Sequence, residues 1–426
     1  MVDLAERTTT DEVPDGYRMT ELGLLPEDWQ VVRLADASKL VMGQSPPSHT
    51  YNLAARGLPF LQGKAEFGNI HPRPVKWCSD PLKIAPAGSI LVSVRAPVGD
   101  ANVTLSDCCI GRGLAAVVCS SNLDRDFGFF MLRFRKSALE DRGTGSTFQS
   151  INKSVLEEFI LPLPPLPEQR AIAHVLSTVQ RAREATEAVI AATRELKRSL
   201  IRHLFLYGPV PVDQVAGVRL KETEIGLVPE GWEIERYDNL VSIVSGQVDP
   251  RQVPFSTLPH VAPDHIESGT GRLLPTRTAG ELNLISGKYH FAAGDVLYSK
   301  IRPYLCKAAI VNFEGTCSAD MYVLRPVAHR LARDFLFYLL LTPQFTQQAM
   351  SFQDRTGIPK INRQQLGTLL LPVPPIYEQR KIAAAIAAAD AKLRVEGAVA
   401  RQLDDLFRTL LGKLVTGQVR AIDQDE

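Results

Sequence analysis

The sequence contains the same pair of motifs twice, one at the start and one at the end of each half, and this duplication constrains the fold more than any other feature. The segment Glu21–Trp29 recurs as Glu224–Trp232 with six of nine positions identical, and Leu161–Ala173 recurs as Leu371–Ala383 with nine of thirteen identical. The matches occur in the same order, at offsets of 203 and 210 residues. Chance does not produce two such matches in order, so we expect two related halves whose interiors have diverged.

The interior of each half predicts a mixed α/β domain. Short apolar runs bounded by glycine and proline indicate strands, and aromatic and leucine residues at helical spacing indicate short helices. The expected strands cover residues 89–94, 115–119, 295–298 and 321–324, and the expected helices cover 127–136 and 334–341. Because the motifs repeat while the interiors differ, we expect one shared scaffold that binds two different ligands of one kind.

Each domain is followed by a segment that predicts a long helix. Residues 168–207 contain neither proline nor glycine, and residues 378–411 contain only Gly397. Apolar residues recur at intervals of three and four, and a stripe of this length requires a partner helix. Each helix would be about 60 Å long, and a two-fold repeat would make the pair antiparallel. The positions expected to pair are Ile172, Leu176, Val179, Ile190, Leu200, Leu204, Ile382, Ile386, Leu393, Leu403, Phe407, Leu410 and Leu414.

The predicted fold class is therefore α+β, with a pseudo-two-fold internal repeat. Two similar mixed α/β domains are separated by two long antiparallel coiled-coil helices. The expected boundaries are a flexible N-terminal segment at 1–20, a first domain at 21–166, a first helix at 167–208, a linker at 209–221, a second domain at 222–376, a second helix at 377–418 and a tail at 419–426.

The composition excludes several classes of protein. With 45% hydrophobic and 22% charged residues among 426, the chain is neither disordered nor fibrous. No apolar run approaches the roughly 20 residues of a membrane span, and the acidic, polar N-terminus does not resemble a signal peptide, so a cytoplasmic protein is expected. The formal charge of +1, from 48 basic and 47 acidic residues, excludes a polycationic DNA coat but not a local basic surface.

The motifs of metal binding and catalysis are absent from the sequence. The six cysteines form no Cys-x2-Cys pair and the eight histidines have no metal-ligand spacing, so free thiols and no metal are expected. A phosphate-binding loop, the Asn-Pro-Pro-aromatic motif of adenine methyltransferases, His-Glu-x-x-His and Gly-x-Ser-x-Gly are all missing. The match of Gly111–Ala116 to Gly-x-Gly-x-x-Ala is interpreted as a turn that enters a strand.

The repeated motifs resemble a known family. Glu-x-Gly-x-x-Pro-x-x-Trp opens each domain, and Leu-Pro-x-Pro-Pro-x-x-Glu-Gln-Arg-x-Ile-Ala opens each long helix. These motifs, in this order, resemble the specificity subunit of type I restriction-modification systems, and the resemblance covers about residues 21–418. One departure is Tyr377, which stands where the first copy has Pro167.

The resemblance implies a function and a set of partners. Each domain would be a target recognition domain that reads one half of a bipartite sequence in double-stranded DNA. The helices would set the spacing and dock two modification subunits, which methylate adenine with S-adenosylmethionine. Restriction subunits, which use ATP and magnesium, would translocate and cleave DNA. This chain would bind no cofactor and catalyse no reaction.

Base edges are read by basic, amide and hydroxyl side chains, and phosphates are held mostly by basic ones. Two polar, glycine-containing segments near residues 142–153 and 355–364 fall at corresponding places, as do the turns 43–47 and 246–250. For any one residue, an ordinary solvated loop remains the alternative. The candidate DNA-binding residues are Gln44, Ser45, Lys64, Arg95, Arg112, Arg142, Thr144, Ser146, Thr147, Gln149, Lys153, Gln247, Lys300, Arg302, Lys307, Arg355, Thr356, Lys360, Asn362 and Arg363.

Two other classes of function stay open at this point. A stand-alone nuclease or methyltransferase would need a catalytic motif, and none is found. A two-headed adaptor that binds proteins without DNA specificity would expose apolar patches and bind its partners independently of salt. For the duplicated Trp29 and Trp232, a shared packing role explains the repetition better than base stacking does.

Overall fold

The computed structural model describes residues 13–143, 149–352 and 358–421. The described residues up to Glu187, together with those from Ala398 onward, form one compact unit, and Ala188–Gly397 form a second. Each unit holds one mixed α/β domain and a part of each long helix. The predicted fold class of two similar domains joined to two long helices is confirmed.

The first domain is built from short strands and four short helices within the described residues. Its strands are β1 Tyr17–Thr20, β2 Gly23–Pro26, β3 Gln30–Arg33, β4 Ser38–Met42, β5 Tyr51–Asn52, β6 Leu58–Leu61, β7 Lys76–Cys78, β8 Ile84–Ala85, β9 Ile90–Ser93, β10 Ala101–Val103, β11 Cys108–Ile110, β12 Leu114–Cys119 and β13 Ile160–Leu163. Its helices are α1 Leu34–Ala37, α2 Arg125–Phe134, α3 Lys136–Glu140 and α4 Lys153–Glu157, and the long helix α5 Leu166–Tyr207 follows.

The second domain has a similar set of elements. Its strands are β14 Leu220–Thr223, β15 Gly226–Pro229, β16 Glu233–Arg236, β17 Val241–Ile243, β18 Gln247–Val248, β19 His260–Val261, β20 Lys288–Phe291, β21 Val296–Ser299, β22 Ala308–Ile310, β23 Gly315–Cys317, β24 Met321–Pro326 and β25 Leu370–Val373. Its helices are α6 Tyr237–Leu240, α7 Arg333–Leu340, α8 Pro343–Met350 and α9 Arg363–Thr368, and the long helix α10 Ile376–Val415 follows.

Both domains are built on the same pair of sheets. An antiparallel four-stranded sheet has the order β10-β9-β12-β4 in the first domain and β22-β21-β24-β17 in the second. The other sheet contains β6-β11-β8 in the first domain and β19-β23-β20 in the second, and β6 with β11 and β19 with β23 are parallel pairs. The first domain extends this sheet by β7 and β5 beside β6, whereas the second extends it by β18 beside β20.

The central strands are buried on both faces, which explains why they form continuous apolar runs rather than alternating patterns. Every residue of β9 and of β21 is buried. In the first domain β9 packs with the aromatic side chains of α2. Asp124 caps the N-terminus of α2, because its carboxylate accepts hydrogen bonds from the backbone N–H groups of Asp126 and Phe127.

A hairpin opens each domain. β1 pairs with β2, and β14 pairs with β15, in matching registers that end at Thr20↔Gly23 and Thr223↔Gly226. Both glycines have a positive φ, which only glycine adopts without strain. Tyr17–Thr20 therefore form a strand, although they fall within the N-terminal segment predicted to be flexible. The strand was missed because its pairing partner lies in the repeated motif and its own sequence carries little apolar signal.

The two long helices pair in antiparallel orientation within each unit. In the first unit Glu168, near the start of α5, meets Arg420 beyond the end of α10, and further along Arg183 Nε donates to Asp404 at 2.6 Å. In the second unit Lys197 Nζ lies 2.6 Å from Asp390, whose carboxylate also accepts from the Tyr338 hydroxyl.

The apolar positions predicted to pair are most deeply buried where the helices meet the domains. Ile172, Leu176, Phe407 and Leu414 lie in the core of the first unit, with Val179 and Leu410 packed against it. Ile382, Ile386 and Leu204 lie in the core of the second unit, with Leu200 packed against it. Ile190, Leu393 and Leu403 are half-buried.

Candidate nucleic-acid interface

The repeated motifs join each domain to its long helix. Trp29 is fully buried, and its indole N–H donates to the carboxylate of Glu168 at 2.9 Å. In the second copy the indole of Trp232 donates to Glu378 at 3.0 Å. The predicted packing role of the duplicated tryptophan is confirmed. The partners of the glutamate differ between the copies. Arg420 forms an ion pair with Glu168 and with Asp28 in the first unit, whereas in the second the Tyr377 hydroxyl donates to Glu378.

The glutamine that follows each glutamate connects the helix to a loop of the domain. The side chain of Gln169 donates to the backbone carbonyls of Asn122 and Pro164 and accepts from the N–H of Asp124. Gln379 repeats this arrangement with the carbonyls of Arg330 and Pro374 and the N–H of Ala332. Both amides are buried, with 1% and 0% of their surface exposed, so each is fully committed to these three bonds.

At one end of the first domain, several loops meet through backbone hydrogen bonds. Gln44 N–H donates to Ile110, Val94 N–H donates to Gly113, and Ala96 N–H donates to Gln149. We define the first loop surface as residues 43–45, 62–64, 94–96, 111–113 and 149–150. The structure thereby brings together five of the predicted residues, namely Gln44, Ser45, Arg95, Arg112 and Gln149, with Lys64 at the edge of the surface.

The charged side chains of the first loop surface differ in their availability. Arg95 and Arg112 are exposed, and within the described residues neither guanidinium takes part in a hydrogen bond or ion pair. Lys64, by contrast, forms an ion pair with Asp100 at 2.7 Å. Arg95 and Arg112 are therefore the cations of this surface that are free to meet an anionic ligand.

The second domain forms a similar surface at the corresponding place. Lys300 N–H donates to Asp320, Arg302 N–H donates to Pro359, and Ile361 N–H donates to Lys300. We define the second loop surface as residues 245–247, 300–302, 318–320 and 359–360. It includes the predicted residues Lys300, Arg302 and Lys360. Gln247, expected in a turn, is instead the first residue of β18 and pairs with Tyr289 of β20. Arg302 and Lys360 are exposed and, among the described residues, have no side-chain partner.

Other predicted residues are occupied by contacts inside their own domain. Lys153 pairs with Glu157, and Lys307 donates to the carbonyl of Pro263. The guanidinium of Arg363 donates to the carbonyls of Ile243 and Val244 and to the hydroxyl of Ser245. The guanidinium of Arg142 lies over the Phe159 ring, and the Asn362 side chain caps α9.

The remaining predicted residues lie outside the described ranges. They are Thr144, Ser146 and Thr147 of the first segment and Arg355 and Thr356 of the second. The described residues that flank these segments do belong to the loop surfaces. Ser150 pairs with Arg95, and Lys360 pairs with Ile301, each through an isolated antiparallel bridge.

Burial holds three titratable side chains of the domains in their neutral forms. Burial lowers the pKa of His260 to about 4, and its Nδ1 lies 3.1 Å from the buried hydroxyl of Thr316. Burial also raises the pKa of the Cys109 thiol to about 12 and that of Cys108 to about 11. The prediction that these two cysteines are free and buried is confirmed.

Sequence reasoning missed two residues of these surfaces. Gln62 is exposed, and its carbonyl accepts from Gly113 N–H. Asp320 places a carboxylate on the second loop surface, with 51% of its side chain exposed. The signal that could have found Asp320 is the alignment of the two halves at the turn after β11 and β23, where the first copy has Gly-Arg-Gly.

The part of the chain that the structure describes contains neither a cluster of metal-ligating side chains nor a membrane-spanning helix. No group of three or more His, Cys, Asp and Glu side chains there could hold a metal ion. Among the same residues, no helix is both long and apolar enough to cross a membrane.

Comparison with known proteins identifies the family. The family described as the type I restriction modification DNA specificity domain matches residues 26–192 and 264–403, which together make up well over half of the chain. The chain belongs to this family. The predicted identity as a specificity subunit is confirmed, and its role is DNA recognition rather than catalysis.

Two curated relatives show how far the similarity extends. The specificity subunit of the type I restriction enzyme EcoDI from Escherichia coli is 29% identical over 421 residues, which cover 94% of this chain and 90% of the relative. A putative MjaX specificity subunit from Methanocaldococcus jannaschii is 43% identical over 199 residues, about half of either chain (46% and 47%).

A solved structure supports the fold of this specificity subunit. The S subunit of the type I restriction-modification system from M. genitalium aligns with a TM-score of 0.63 at 16% identity, covering 91% of this chain and 96% of that one. The alternative of a two-headed adaptor without DNA specificity receives no support from any of these matches.

Proposed function

We propose that this specificity subunit reads a bipartite DNA sequence, one half with each loop surface. The observation that carries the proposal is the equivalence of the two surfaces. Both lie at the same end of the same pair of sheets, and both expose arginine and glutamine side chains whose polar atoms are unpaired within the described residues. Arginine and glutamine are side chains that bind base edges and phosphates.

The long helices would set the distance between the two half-sites. Both helices are continuous, over 42 and 40 residues, and the charged pairs Arg183–Asp404 and Lys197–Asp390 hold one antiparallel register. A slip of that register would separate these partly buried charges from their partners. The outward faces of the helices would dock two modification subunits, and restriction subunits would join the assembly.

The partner subunits would supply the chemistry. Methylation of adenine would use S-adenosylmethionine on the modification subunits, and cleavage would use ATP and magnesium on the restriction subunits. This chain would bind none of these cofactors and would act as the reader and the assembly platform.

The decisive experiment is sequencing of methylated adenine in cells that express the modification subunit with and without this chain. A gapped two-part motif that appears only with this chain supports the proposal. Methylation of the same motif without the chain contradicts it, because the specificity would then come from elsewhere. Where neither strain is methylated, DNA selection by the purified complex provides the same comparison.

A second experiment tests the spacing. Seven residues inserted in each helix, between Glu187 and Ala188 and between Gly397 and Ala398, add about 10 Å of helix and keep both charged pairs intact. Since base pairs are about 3.4 Å apart along DNA, the spacer should grow by about three base pairs. An unchanged spacer would show that the helices do not set the distance.

A further inference from the structure

One turn carries a different charge in the two loop surfaces, although its backbone makes the same hydrogen bonds in both. It connects β11 to β12 in the first domain and β23 to β24 in the second. The turn is Gly111-Arg112-Gly113 in the first domain and Ser318-Ala319-Asp320 in the second. The cation of the first copy therefore has no counterpart in the second, which carries a carboxylate instead.

Three backbone hydrogen bonds establish the correspondence residue by residue. Gly111 N–H donates to Leu61 as Ser318 N–H donates to Val261. Leu114 N–H donates to Gly111 as Met321 N–H donates to Ser318. Val94 N–H donates to Gly113 at 2.9 Å as Lys300 N–H donates to Asp320 at 3.0 Å. Arg112 thus corresponds to Ala319, Gly113 to Asp320 and Val94 to Lys300.

The turn of the first domain is held rigidly. A Cβ on Gly113 would collide with the backbone carbonyl of Gln62, and a Cβ on Gly43 would collide with that of Gly111. The backbone N–H of Arg112 donates to the Ser45 hydroxyl at 3.3 Å. Arg112 is therefore presented on a fixed backbone, while its guanidinium is exposed and, among the described residues, unpaired.

The turn of the second domain presents an acceptor beside a donor. Asp320 Oδ1 lies 3.9 Å from Lys300 Nζ, with side chains exposed by 51% and 26% respectively. This distance is longer than a direct hydrogen bond, and such an exposed ion pair contributes little stability. Both side chains can therefore engage a ligand at little cost.

We propose that this turn reads one base pair in each half-site: Arg112 binds a guanine in the first half, and Asp320 with Lys300 binds a C·G pair in the second. The proposal rests on the proposed function. Arginine matches guanine because its fork donates to both O6 and N7. A carboxylate accepts from the N4 amino group of cytosine, and a neighbouring lysine can donate to O6 or N7 of the paired guanine. Because DNA phosphates repel a carboxylate, Asp320 does not fit the DNA backbone. The ligand that it fits is the amino group of a base.

The test is DNA selection by the complex assembled with its modification subunit, from libraries in which the first or the second half-site is randomised. Asp320→Asn should reduce discrimination at one C·G position by about 5- to 150-fold, the range of one good base contact, with the first half unchanged. The matched control is Asp334→Asn, because Asp334 is similarly exposed (54%) and pairs with Arg333. The Arg333 side chain lies near Gly294, at the other end of β21. A second-half consensus identical to that of the unaltered chain would overturn the proposal.

Two further variants keep the test decisive. Arg112→Gln should relax one guanine position in the first half alone. Ala319→Arg combined with Asp320→Gly transplants the first turn into the second domain and should replace the C·G preference with guanine on the contacted strand. Where Asp320→Asn does not fold, an unaltered second-half consensus in this double variant overturns the proposal equally.

The outcomes separate this inference from the function on which it rests. If the unaltered complex selects no gapped two-part motif, the proposed function fails. If it selects such a motif and neither turn variant changes either half, only the assignment of the turn fails.

Discussion

The two domains share their skeleton and differ in what is attached to it. The four-stranded sheets have the same strand order, and the repeated motifs use the same tryptophan, glutamate and glutamine contacts. The other sheet is extended at opposite edges, by β5 and β7 in the first domain and by β18 in the second. Divergence is therefore tolerated at sheet edges and loops, where side chains face solvent or a ligand, and not where the domain meets its helix.

The domains also differ in the polarity of their cores. Phe60 of β6 stands where β19 has His260, and Cys109 stands where β23 has Thr316, as the parallel pairings show. Leu34, at the start of α1, corresponds to Tyr237 at the start of α6. The second domain thus buries polar groups at positions where the first buries apolar ones.

The largest expected effect comes from exchanging a whole domain. Residues 30–163, replaced by the corresponding part of another specificity subunit, should change the first half of the methylated motif completely and leave the second half and the spacer unchanged. The reason is that Trp29 and Glu168 lie outside this range, so the contact that joins the domain to its helix is retained. Sequencing of methylated adenine measures the outcome, and exchange of residues 233–373 is the matched control. A change in both halves after either exchange would refute independent reading.

The contact between the repeated tryptophan and glutamate should stabilise the first unit more than the second. Glu168→Ala removes a buried acceptor of both Trp29 and Arg420, and we expect a loss of about 3 kcal/mol. Glu378→Ala removes the acceptor of Trp232 and of the exposed Tyr377 hydroxyl, but breaks no ion pair, and should cost about 1–2 kcal/mol. Hydrogen exchange of peptides from each unit measures the two losses separately. Equal losses of stability in Glu168→Ala and Glu378→Ala would show that the ion pairs of Arg420 contribute nothing. In an Arg420→Ala background, the difference between these two losses should become smaller.

Acid should weaken the second domain selectively. The folded pKa of His260, about 4, lies below its ordinary value of about 6.5. The imidazole therefore binds a proton more readily in the unfolded chain than in the folded domain. The folded domain keeps its full stability above pH 6.5 and loses stability as the pH falls towards 4. Between pH 7.5 and pH 5 the loss should be about 2 kcal/mol.

Hydrogen exchange at the two pH values checks this expectation. Protection of β19 and β23 should fall at pH 5 more than that of β6 and β11. The double variant His260→Phe with Thr316→Val imitates the apolar chemistry of the first domain and should remove the difference. Equal losses in both domains would contradict the role of His260.

The smallest expected effect concerns Arg95 and Arg302, two unpaired arginines that lie outside the turn after β11 and β23. Arg95→Gln and Arg302→Gln should each weaken DNA binding similarly for all sequences and lower the salt dependence by about one counterion. Arg125 and Arg333 are the controls, because they lie near Gly88 and Gly294, at the other end of β9 and β21. Binding titrations at several salt concentrations measure these slopes. A changed sequence preference in Arg95→Gln or Arg302→Gln would instead assign these arginines to base reading.

The skeleton was predictable from sequence because its signals are local. Fully buried strands such as β9 and β21 stand out as apolar runs between turns, and the helices lack proline and glycine over long stretches. Strand β1 was not predictable, since Tyr17–Thr20 become a strand only by pairing with residues of the repeated motif.

The candidate site was predictable only in part. The matched turns correctly indicated that Gln44 lies in a loop, whereas Gln247 is the first residue of strand β18 and pairs with Tyr289. The alignment of the halves placed Arg95 and Ile301 at equivalent points. Sequence could not show that Lys64 faces Asp100 or that Arg363 binds the carbonyl of Val244, because those partners are distant in the chain. Whether a cation is free depends on such long-range contacts.

The joint between domain and helix has a consequence for how these genes can change. Glu168 and Gln169 meet the first domain as Glu378 and Gln379 meet the second, and the two joints are identical at nine of thirteen residues. A crossover between two such genes within this repeated stretch would deliver a domain that already carries the contacts its new helix requires. New target sequences can thus arise in one recombination event, without a series of destabilising intermediates.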